Sequence, residues 1–362
     1  MSPSPKHAPP GPGALVAIVT PVYNGAKHLE TAMRAVQAQT YRPLIHCVLD
    51  NASTDATPEI IARYAADAKV PIVVARNPRT ISFQENWNAV LTMMPPETAY
   101  FRMLHADDSM PPRAIEEMMA VARSADDVVL VAGGERMNGE DRPHFFPPEC
   151  SVFEASNMLA RTFSDEAHVP SAHVLWRRDT MRPDEEFYPT DTVECIQAAV
   201  HRVLSRGGRA GFVHRHVADT TRYAGSGSLI DTYGPTVKAV LWEKLTWIER
   251  FGPAALTNIE YERVHRRFLR VYHRRLLWWA ATGQIAIARR DYERLRERGQ
   301  APNLLDIVLA VAVWPAYLFA KHIGRPHAAK SWPGEAVTSI DEPPPVRQLE
   351  REHAPLEAAA AS

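Results

Sequence analysis

The stretch ALVAIVT, residues 14–20, decides the fold because it is a continuous run of apolar, mostly β-branched residues. Such a run is typical of a strand buried on both faces, which is a property of parallel sheets covered by helices. Similar runs recur at residues 44–50, 70–75, 99–104 and 127–133, and helical patterns fill the intervals. Strands and helices that alternate through such short connections predict an α/β fold, with a mostly parallel sheet flanked by helices.

The composition is that of an ordinary globular protein without a strong overall charge. The chain has 362 residues, of which 46% are hydrophobic and 23% charged, and its formal net charge is −1. A near-neutral chain gives no global reason to expect nucleic acid as a partner. The three cysteines are far apart in the sequence, which is expected in a reducing compartment. The Pro-rich leader 1–13 and the tail 333–362 are predicted to be disordered.

Polar side chains follow the first, second and fourth predicted strands at the points where these strands end. The three segments are TPVYN at 20–24, DNASTD at 50–55 and HADD at 105–108. The carboxyl ends of parallel strands meet at one edge of a sheet, and ligands bind there. We therefore expect the three segments to form one site.

The adjacent carboxylates of Asp107 and Asp108 have two interpretations. Mg²⁺ takes oxygen ligands, often one or two carboxylates together with substrate phosphates, and such an ion could neutralise a diphosphate leaving group. However, Asp-Asp-Ser before Pro111-Pro112 is also a common turn and helix N-cap. Taken alone the pair favours the cap, whereas the two neighbouring segments favour the metal.

Together, TPVYN, DNASTD and HADD resemble the inverting family 2 glycosyltransferases, which have a GT-A fold. The resemblance is clear over residues 14–110 and thinner, but continuous, to residue 228. It implies that the first two segments bind the nucleotide of a nucleoside-diphosphate sugar. The residues that it assigns to this role are Thr20, Pro21, Tyr23 and Asp50.

The resemblance also implies a metal ion. Asp107 and Asp108 match the family's D-x-D-type motif, which implies Mg²⁺ or Mn²⁺, with Asp108 as the direct ligand and Asp107 as its partner toward the ribose or the metal. Many family members read D-A-D-D here, whereas this chain has His105 in the first position. Two interpretations of His105 stay open: a neutral hydrogen bond where an acid usually sits, or a ring whose nitrogens are satisfied by local groups.

The segment RNPRTISFQENWNAV at 76–90 resembles the part of the family that lines the sugar-nucleotide pocket. Asn77, Asn86 and Asn88 match the family pattern, and Arg79 could face a phosphate. The resemblance therefore implies donor-binding roles for Asn77, Arg79 and Asn88. The alternative is that Asn86 and Asn88 cap the helix while Trp87 packs.

Inverting transfer needs a general base that takes the proton of the acceptor hydroxyl. The family places this base at the start of a helix after an aromatic-rich loop, which matches residues 187–204 and implies Asp191, with Glu194 as the second candidate. The alternative is structural, with Thr190 or Asp191 as an N-cap and Glu194 as its capping-box partner. The stretch 216–228 resembles the family's closing loop, which implies a phosphate contact from Arg222.

Residues 229–332 are predicted to be a helical region. Residues 261–281 carry an apolar stripe and a basic stripe at helical spacing. They fit an amphipathic helix packed on the catalytic domain, or a helix on an anionic membrane surface. Within 304–325, fourteen uninterrupted apolar residues are too few to span a bilayer, and they fit an interfacial or re-entrant anchor or a buried core helix.

The resemblance implies a metal-dependent inverting glycosyltransferase with its catalytic domain at 14–228. We expect a saccharide or lipid-linked acceptor in bacterial cell-surface polysaccharide or glycolipid synthesis, and a cytoplasmic location, peripheral on the inner face of the cell membrane. The main alternative is a non-catalytic protein that binds a nucleotide sugar or serves as a scaffold in a membrane assembly. A sugar-phosphate nucleotidyltransferase would carry a Gly-rich basic loop after the first strand, and TPVYNGAKH at 20–28 is not such a loop.

Overall fold

The computed structural model describes residues 13–144, 146–164, 169, 173–221 and 239–312. Within them, strands and helices alternate as the sequence pattern predicts. The predictions for the leader (Gly13 excepted), for the tail, for Arg222 and for residues 313–325 lie outside the described residues.

One mixed sheet of nine strands forms the centre of the described part of the chain. The strands are β1 (Val16–Val22), β2 (Leu44–Asp50), β3 (Ile72–Arg76), β4 (Tyr100–Met103), β5 (Val128–Met137), β6 (Glu140–Asp141), β7 (Val152–Glu154), β8 (Leu175–Arg177) and β9 (Arg209–Thr220). Their order is β3-β2-β1-β4-β8-β5-β9-β7, and β6 pairs with β5.

The sheet has a parallel half and a mixed half. The first four strands are parallel to one another. β8 then lies between β4 and β5 and runs antiparallel to both, while β9 is parallel to β5. The carboxyl ends of β1, β2 and β4 therefore lie at the same edge.

Ten α-helices accompany the sheet in the described residues. They are α1 (Leu29–Gln37), α2 (Thr57–Ala66), α3 (Phe83–Leu91), α4 (Ala114–Ala122), α5 (Ala155–Phe163), α6 (Cys195–Ser205), α7 (Ala239–Ala255), α8 (Asn258–Ala281), α9 (Ile285–Glu297) and α10 (Leu304–Ala312). The last four form the helical extension that the sequence predicts.

β1 shows why an uninterrupted apolar run was needed. All seven of its residues are buried. Ala17 and Val19 belong to a cluster with residues of α3, α5 and α6, whereas Val16 and Ile18 belong to a cluster with residues of α1 and α4. Because successive side chains of a strand point to opposite faces, helices on both faces require apolar residues at every position.

The helical extension packs on the α/β domain through the apolar stripe of α8. The buried residues of this stripe are Val264, Phe268, Tyr272, Leu276 and Trp279, and they join the same cluster as α5 and α6. The predicted packing of an amphipathic helix against the catalytic domain is therefore confirmed. In the part of the chain that the structure describes, every helix is too short or too polar to cross a bilayer.

Candidate active site

The loops that follow β1 and β2 are held together by side chains. Ser53 Oγ accepts a hydrogen bond from the amide of Asn24 (2.9 Å), and Asn24 Oδ1 accepts one from the amide of Thr54 (2.8 Å). Asn24 and Ala52 have φ angles of 48° and 58°, in the left-handed region that asparagine tolerates better than most residues. These bonds fix the two loops as one unit.

The HADD loop after β4 lies against the same unit. A Cβ atom added at Gly25 would lie 3.6 Å from Ala106 Cβ and only 2.5 Å from a methyl group of Val22. The 3.6 Å distance is ordinary van der Waals contact between the two loops, and the short distance to Val22 explains why position 25 has no side chain. All three strand ends meet in one place.

Within TPVYN, the side chains differ in direction. Thr20 is fully buried, and its hydroxyl bonds to His46 Nε2 at 2.9 Å inside the sheet. Pro21 is also buried, whereas the ring of Tyr23 is 52% exposed. Tyr23 thus offers a free ring surface, and Thr20 and Pro21 shape the turn.

Asp50 ends β2 as a buried carboxylate that is 2% exposed. Its Oδ1 accepts a hydrogen bond from the amide of Ser53 (2.9 Å), and its Oδ2 lies 2.7 Å from Arg76 Nη1 as an ion pair. Among the described residues, no N–H or O–H group points at Oδ2 with hydrogen-bond geometry. Ser53 and Arg76 thus hold the Asp50 carboxylate at the end of β2.

Asn77 lies at the end of β3 in a network of amide side chains. Its Nδ2 donates to Asn51 Oδ1 (2.8 Å) and to Asn86 Oδ1 (3.0 Å). The cap of α3 is Ser82, in a capping box with Glu85, and Asn86 lies inside the helix. The alternative that Asn86 and Asn88 cap this helix is therefore wrong.

Asn88 is used to hold a distant loop. Its amide donates to the carbonyl oxygen of Tyr188 (2.7 Å) and accepts from the amide of Tyr188 (2.9 Å). The neighbouring Trp87 stacks on the ring of His105, with centroids 5.1 Å apart, and meets Tyr188 edge-on. Arg79 is exposed near the start of α3.

Asp108 is only 2% exposed and lies among groups from three segments of the chain. Its Oδ2 is 3.3 Å from His105 Nδ1 and 3.7 Å from His173 Nε2, and its Oδ1 accepts from the amide of Thr221 at 3.3 Å. Neither Asp107 nor Asp108 caps α4, which begins at Ala114. The helix-cap alternative for the pair is therefore wrong.

The charges in this cluster compensate one another. Burial opposes the charged form of Asp108, but the hydrogen bond with His105 and the fields of both histidines hold the pKa of this carboxyl below its usual value. Burial and the charge of Asp108 raise the pKa of Asp107. Burial opposes the charged form of His105, but Asp108 and Asp107 raise its pKa. His105 Nδ1 thus contacts an acid, while His105 Nε2 has no hydrogen-bond partner among the described residues, so local groups satisfy only one of the two ring nitrogens.

Asp107 and Asp108 supply only some of the ligands that a divalent cation needs. Among the described residues, no three His, Cys, Asp or Glu side chains form a group that could hold a metal ion by themselves. The two carboxylates nevertheless fit a cation that takes its other ligands from substrate phosphates. Burial and the charge of Asp108 disfavour the ionised form of Asp107, and a cation would stabilise that form. Asp107 is the freer of the two, since Asp108 is engaged by His105.

The loop that carries Asp191 leads into α6, and a residue of another helix caps the start of α6. α6 begins at Cys195, and its N-cap residue Glu194 makes no capping hydrogen bond through its side chain within the described chain. The predicted capping box, with Thr190 or Asp191 as N-cap and Glu194 as its partner, is therefore wrong. The acceptor at this helix end is the carboxylate of Glu243, which lies on α7.

A cavity of about 400 Å³ lies between this loop and α7. Its wall includes Asp191, Arg202, Trp242, Glu243 and Trp247. Asp191 is exposed, in contrast to the buried Asp108. No contact among the described residues joins the two carboxylates directly. Between them lies a chain of ring contacts, in which Trp87 packs against Tyr188 on one side and against His105 on the other.

Several residues of the site carry no local signal in the sequence. His173, Thr221 and Glu243 reach the site from segments that lie far along the chain from Asp108 and Asp191. Arg102 is an exception, because a charged residue inside an apolar strand is unusual. It is fully buried, donates to the carbonyl oxygen of Val217 (2.8 Å) and faces the charge of Asp108.

Comparison with known proteins gives this site its context. Residues 17–175 match the model of Glycosyl transferase family 2. An uncharacterized glycosyltransferase from Nostoc sp. is 24% identical over 193 residues, which cover 49% of this chain and 55% of that relative. The match thus spans little more than half of the relative's length.

Two solved structures share the fold. TarS from S. aureus, in complex with UDP-GlcNAc, aligns with a TM-score of 0.57 and 15% identity over 71% of this chain and 72% of that chain. A mannosyltransferase from Pyrobaculum calidifontis, in complex with GDP-Man and Mn²⁺, aligns with a TM-score of 0.52 and 15% identity over 90% of this chain and 84% of that one. Over residues 17–175 the chain thus resembles Glycosyl transferase family 2, and its fold is of the GT-A type that these two structures share.

Proposed function

We propose that this protein transfers a sugar from a nucleoside-diphosphate sugar to an acceptor hydroxyl, with inversion at the anomeric carbon. The observation that carries the proposal is that Asp50, Asp107 and Asp108 follow strands whose carboxyl ends lie at one edge of the sheet, where ligands bind in such folds. The complexes of the two structural neighbours with UDP-GlcNAc and GDP-Man support this class of donor.

In the donor site, Asp50 Oδ2 accepts a hydrogen bond from the base or from a ribose hydroxyl. Tyr23 stacks on the base, and Thr20 and Pro21 hold the turn that supports it. The further residues that we assign to donor binding are Asn77, Arg79, Asn88, Asp107 and Arg222. Asn77 and Asn88 contribute indirectly, through the loops that their amides hold.

Asp107 and Asp108 would hold Mg²⁺ or Mn²⁺ together with the diphosphate. When bound, the ion would supply positive charge that stabilises the leaving diphosphate. The complex of the structural neighbour with Mn²⁺ and GDP-Man supports this part of the proposal. The raised pKa of Asp107 indicates a carboxylate whose charged form a cation would stabilise.

Asp191 is the proposed general base, with Glu194 as the second candidate. Its carboxylate takes the proton of the acceptor hydroxyl while that oxygen bonds to the anomeric carbon and the bond to the diphosphate breaks. The acceptor binds in the cavity beside Asp191, whose wall also includes Trp242 and Trp247. A saccharide or lipid-linked saccharide fits this lining.

The helical extension is the proposed contact with a membrane surface. Residues 258–300 contain eleven arginines against five carboxylates. Trp278, Ile285, Leu304 and Val308 are exposed on α8, α9 and α10. Basic and exposed apolar side chains together are typical of an interfacial helix on anionic lipid. We propose a catalytic domain at 14–228 and a membrane-associating helical region at 229–332, which would place the enzyme on the inner face of a bacterial membrane, in cell-surface polysaccharide or glycolipid synthesis.

A thermal-shift screen of UDP, GDP and their sugars, with and without Mn²⁺, tests the donor site. At a hundredfold excess over Kd, a bound nucleotide should raise the Tm by about 5 °C. Asp50→Asn should reduce this affinity about tenfold or more, because a charged acceptor is lost.

Asp191→Asn should leave nucleotide binding unchanged but lower the release of nucleoside diphosphate by about 10²-fold or more.

The contact of His105 Nδ1 with Asp108 Oδ2 favours a second candidate function, a non-catalytic protein that binds a nucleotide sugar, because it engages the carboxylate proposed to bind the metal. Metal-dependent binding without transfer or hydrolysis in the wild-type protein would support this second function. Equal turnover by the wild type and Asp191→Asn would reject the proposed base.

A further inference from the structure

Glu243 on α7 connects the helical extension to the loop of the proposed base. Its carboxylate accepts hydrogen bonds from the Thr192 hydroxyl (2.7 Å), the Val193 amide (3.0 Å) and the Glu194 amide (3.2 Å). About fifty residues of sequence separate the acceptor from these donors. The contact is therefore tertiary and brings α7 to the start of α6.

The position suits a carboxylate for a physical reason. The first amide groups of a helix lack acceptors within the helix, and the helix dipole adds partial positive charge at that end. Local residues do not meet this need at α6, as the missing capping box shows. Hydrogen bonds from neutral donors to a charged acceptor are stronger than those between neutral groups, so Glu243 holds these three residues firmly.

Asp191 directly precedes the residues that Glu243 holds. The other end of the loop is fixed by the two hydrogen bonds between Asn88 and Tyr188. The exposed side chain of Asp191 lies between these two attachments, on the wall of the cavity that Glu243 also lines. The position of the Asp191 carboxylate relative to an acceptor hydroxyl therefore depends on both the Asn88 attachment and the Glu243 attachment.

We propose that Glu243 is a positioning residue for Asp191, so that α7 is part of the catalytic apparatus although the family match ends at residue 175. The inference rests on the proposed function, in which Asp191 is the base. Glu243 touches neither the donor nor the reacting hydroxyl in this arrangement, and it acts through the backbone of residues 192–194.

The test compares Glu243→Gln with Glu249→Gln in the full chain. Glutamine keeps the shape of Glu243, but its amide group replaces one acceptor oxygen with a donor that faces N–H groups. Glu249 lies on the same helix, and its partners are His265, Arg298 and Gln300, none of which belongs to the loop. It is therefore a matched control for loss of a carboxylate on α7.

We expect Glu243→Gln to lower kcat by about 10-fold to 100-fold, because small displacements of a catalytic group cost this much. The Kd for UDP or GDP should stay within twofold of wild type, and Glu249→Gln should match wild type in both quantities. Turnover is followed as nucleoside diphosphate released from UDP-GlcNAc or GDP-mannose with Mn²⁺. A kcat of Glu243→Gln equal to that of Glu249→Gln would overturn the proposal.

A double-mutant cycle with Asp191→Asn separates positioning from a general loss of stability. If Glu243 acts through Asp191, adding Glu243→Gln to Asp191→Asn should lower kcat by less than twofold further. Fully additive losses would overturn the proposal. If Asp191→Asn itself has no effect, the proposed base is wrong and the role of Glu243 falls with it.

Amide hydrogen exchange gives a readout that does not need turnover. Glu243→Gln should speed exchange at residues 193 and 194 by at least tenfold, while exchange in α3 stays at the wild-type rate. Unchanged exchange at these two amides would overturn the proposal even if no donor is turned over. An absence of turnover in the wild type, with faster exchange in the variant, would instead count against the proposed function alone.

Discussion

Buried histidines make the described fold sensitive to acid. Burial lowers the pKa of His46 and of His201 to about 3. The ring of His201 packs between Phe163 and Trp247, and neither of its nitrogens has a hydrogen-bond partner among the described residues. Below pH ~6.5 the unfolded chain binds protons at these sites that the folded chain does not accept until about pH 3, so the free energy of unfolding falls as the pH drops through this window.

His201→Leu should make the protein less sensitive to acid. The substitution removes a group that is protonated only after unfolding, so the loss of unfolding free energy between pH 7 and pH 5 should shrink by on the order of 2 kcal/mol. Urea denaturation at the two pH values measures this difference. Phe163→Leu removes a ring from the same cluster without an ionisable group, and its pH dependence should equal that of wild type. An unchanged pH dependence in His201→Leu would show that the ring is charged in the folded state.

At the scale of single residues, the sequence indicated the acids but not their partners. Asp50, Asp107 and Asp108 could be located because each directly follows an apolar run, which is local information. The partners His173 and Thr221 come from later segments, and only the folded sheet brings them beside Asp108. The same reason explains why the cap of α6 was assigned to Asp191 and Glu194 instead of Glu243.

At the scale of elements, α3 supports both sides of the candidate site. Its start is fixed by the capping box of Ser82 and Glu85. Trp87 faces His105 on the donor side, and Asn88 holds Tyr188 on the side of the proposed acceptor cavity. The helix itself could be predicted from periodicity. The family resemblance implied a donor contact for Asn88, and this bridging role was missed because a tertiary partner a hundred residues away leaves no local trace.

Asn88→Ala separates these two roles. The substitution leaves the amide and the carbonyl of Tyr188 without their partner, so the free energy of unfolding should fall by about 2–4 kcal/mol. The affinity for UDP or GDP should change less than threefold if Asn88 acts through the loop. Thr92→Ala, at the exposed C-terminal end of the same helix, should cost less than about 0.5 kcal/mol. A large loss of nucleotide affinity with unchanged stability would instead place Asn88 in the donor site.

At the scale of the whole molecule, charge is distributed unevenly in spite of a net charge of −1. The excess of arginine lies in the helical extension, and Arg263, Arg266 and Arg270 are exposed on α8. The alternation of strands and helices in the sequence was enough to predict an α/β domain, and helical spacing predicted this extension, whereas the GT-A assignment came from the resemblance of three loop segments to a known family. The position of β8 could not be read in this way, because pairing between distant strands depends on topology and not on composition.

Charge reversal on α8 tests the proposed membrane surface. The full-length wild type should sediment with vesicles of phosphatidylcholine and phosphatidylserine but not with phosphatidylcholine alone. Arg263→Glu combined with Arg270→Glu should weaken binding by about tenfold or more, since each basic residue near an anionic surface contributes about 1 kcal/mol. Arg34→Glu, at an exposed position on α1, is the control and should bind as wild type does. Equal binding of the α8 variant would exclude this face as the contact.

The place of β8 has a consequence for the order in which the chain can fold during its synthesis. β3, β2, β1 and β4 are complete once residue 103 has been made, yet the partner that covers the other side of β4 is β8, at Leu175–Arg177. For about seventy residues of translation, the backbone groups on that side of β4 have no native strand to pair with. An open strand edge of this kind is a known route to intermolecular association, so a nascent chain of this protein is most exposed to it while β5 to β7 are emerging.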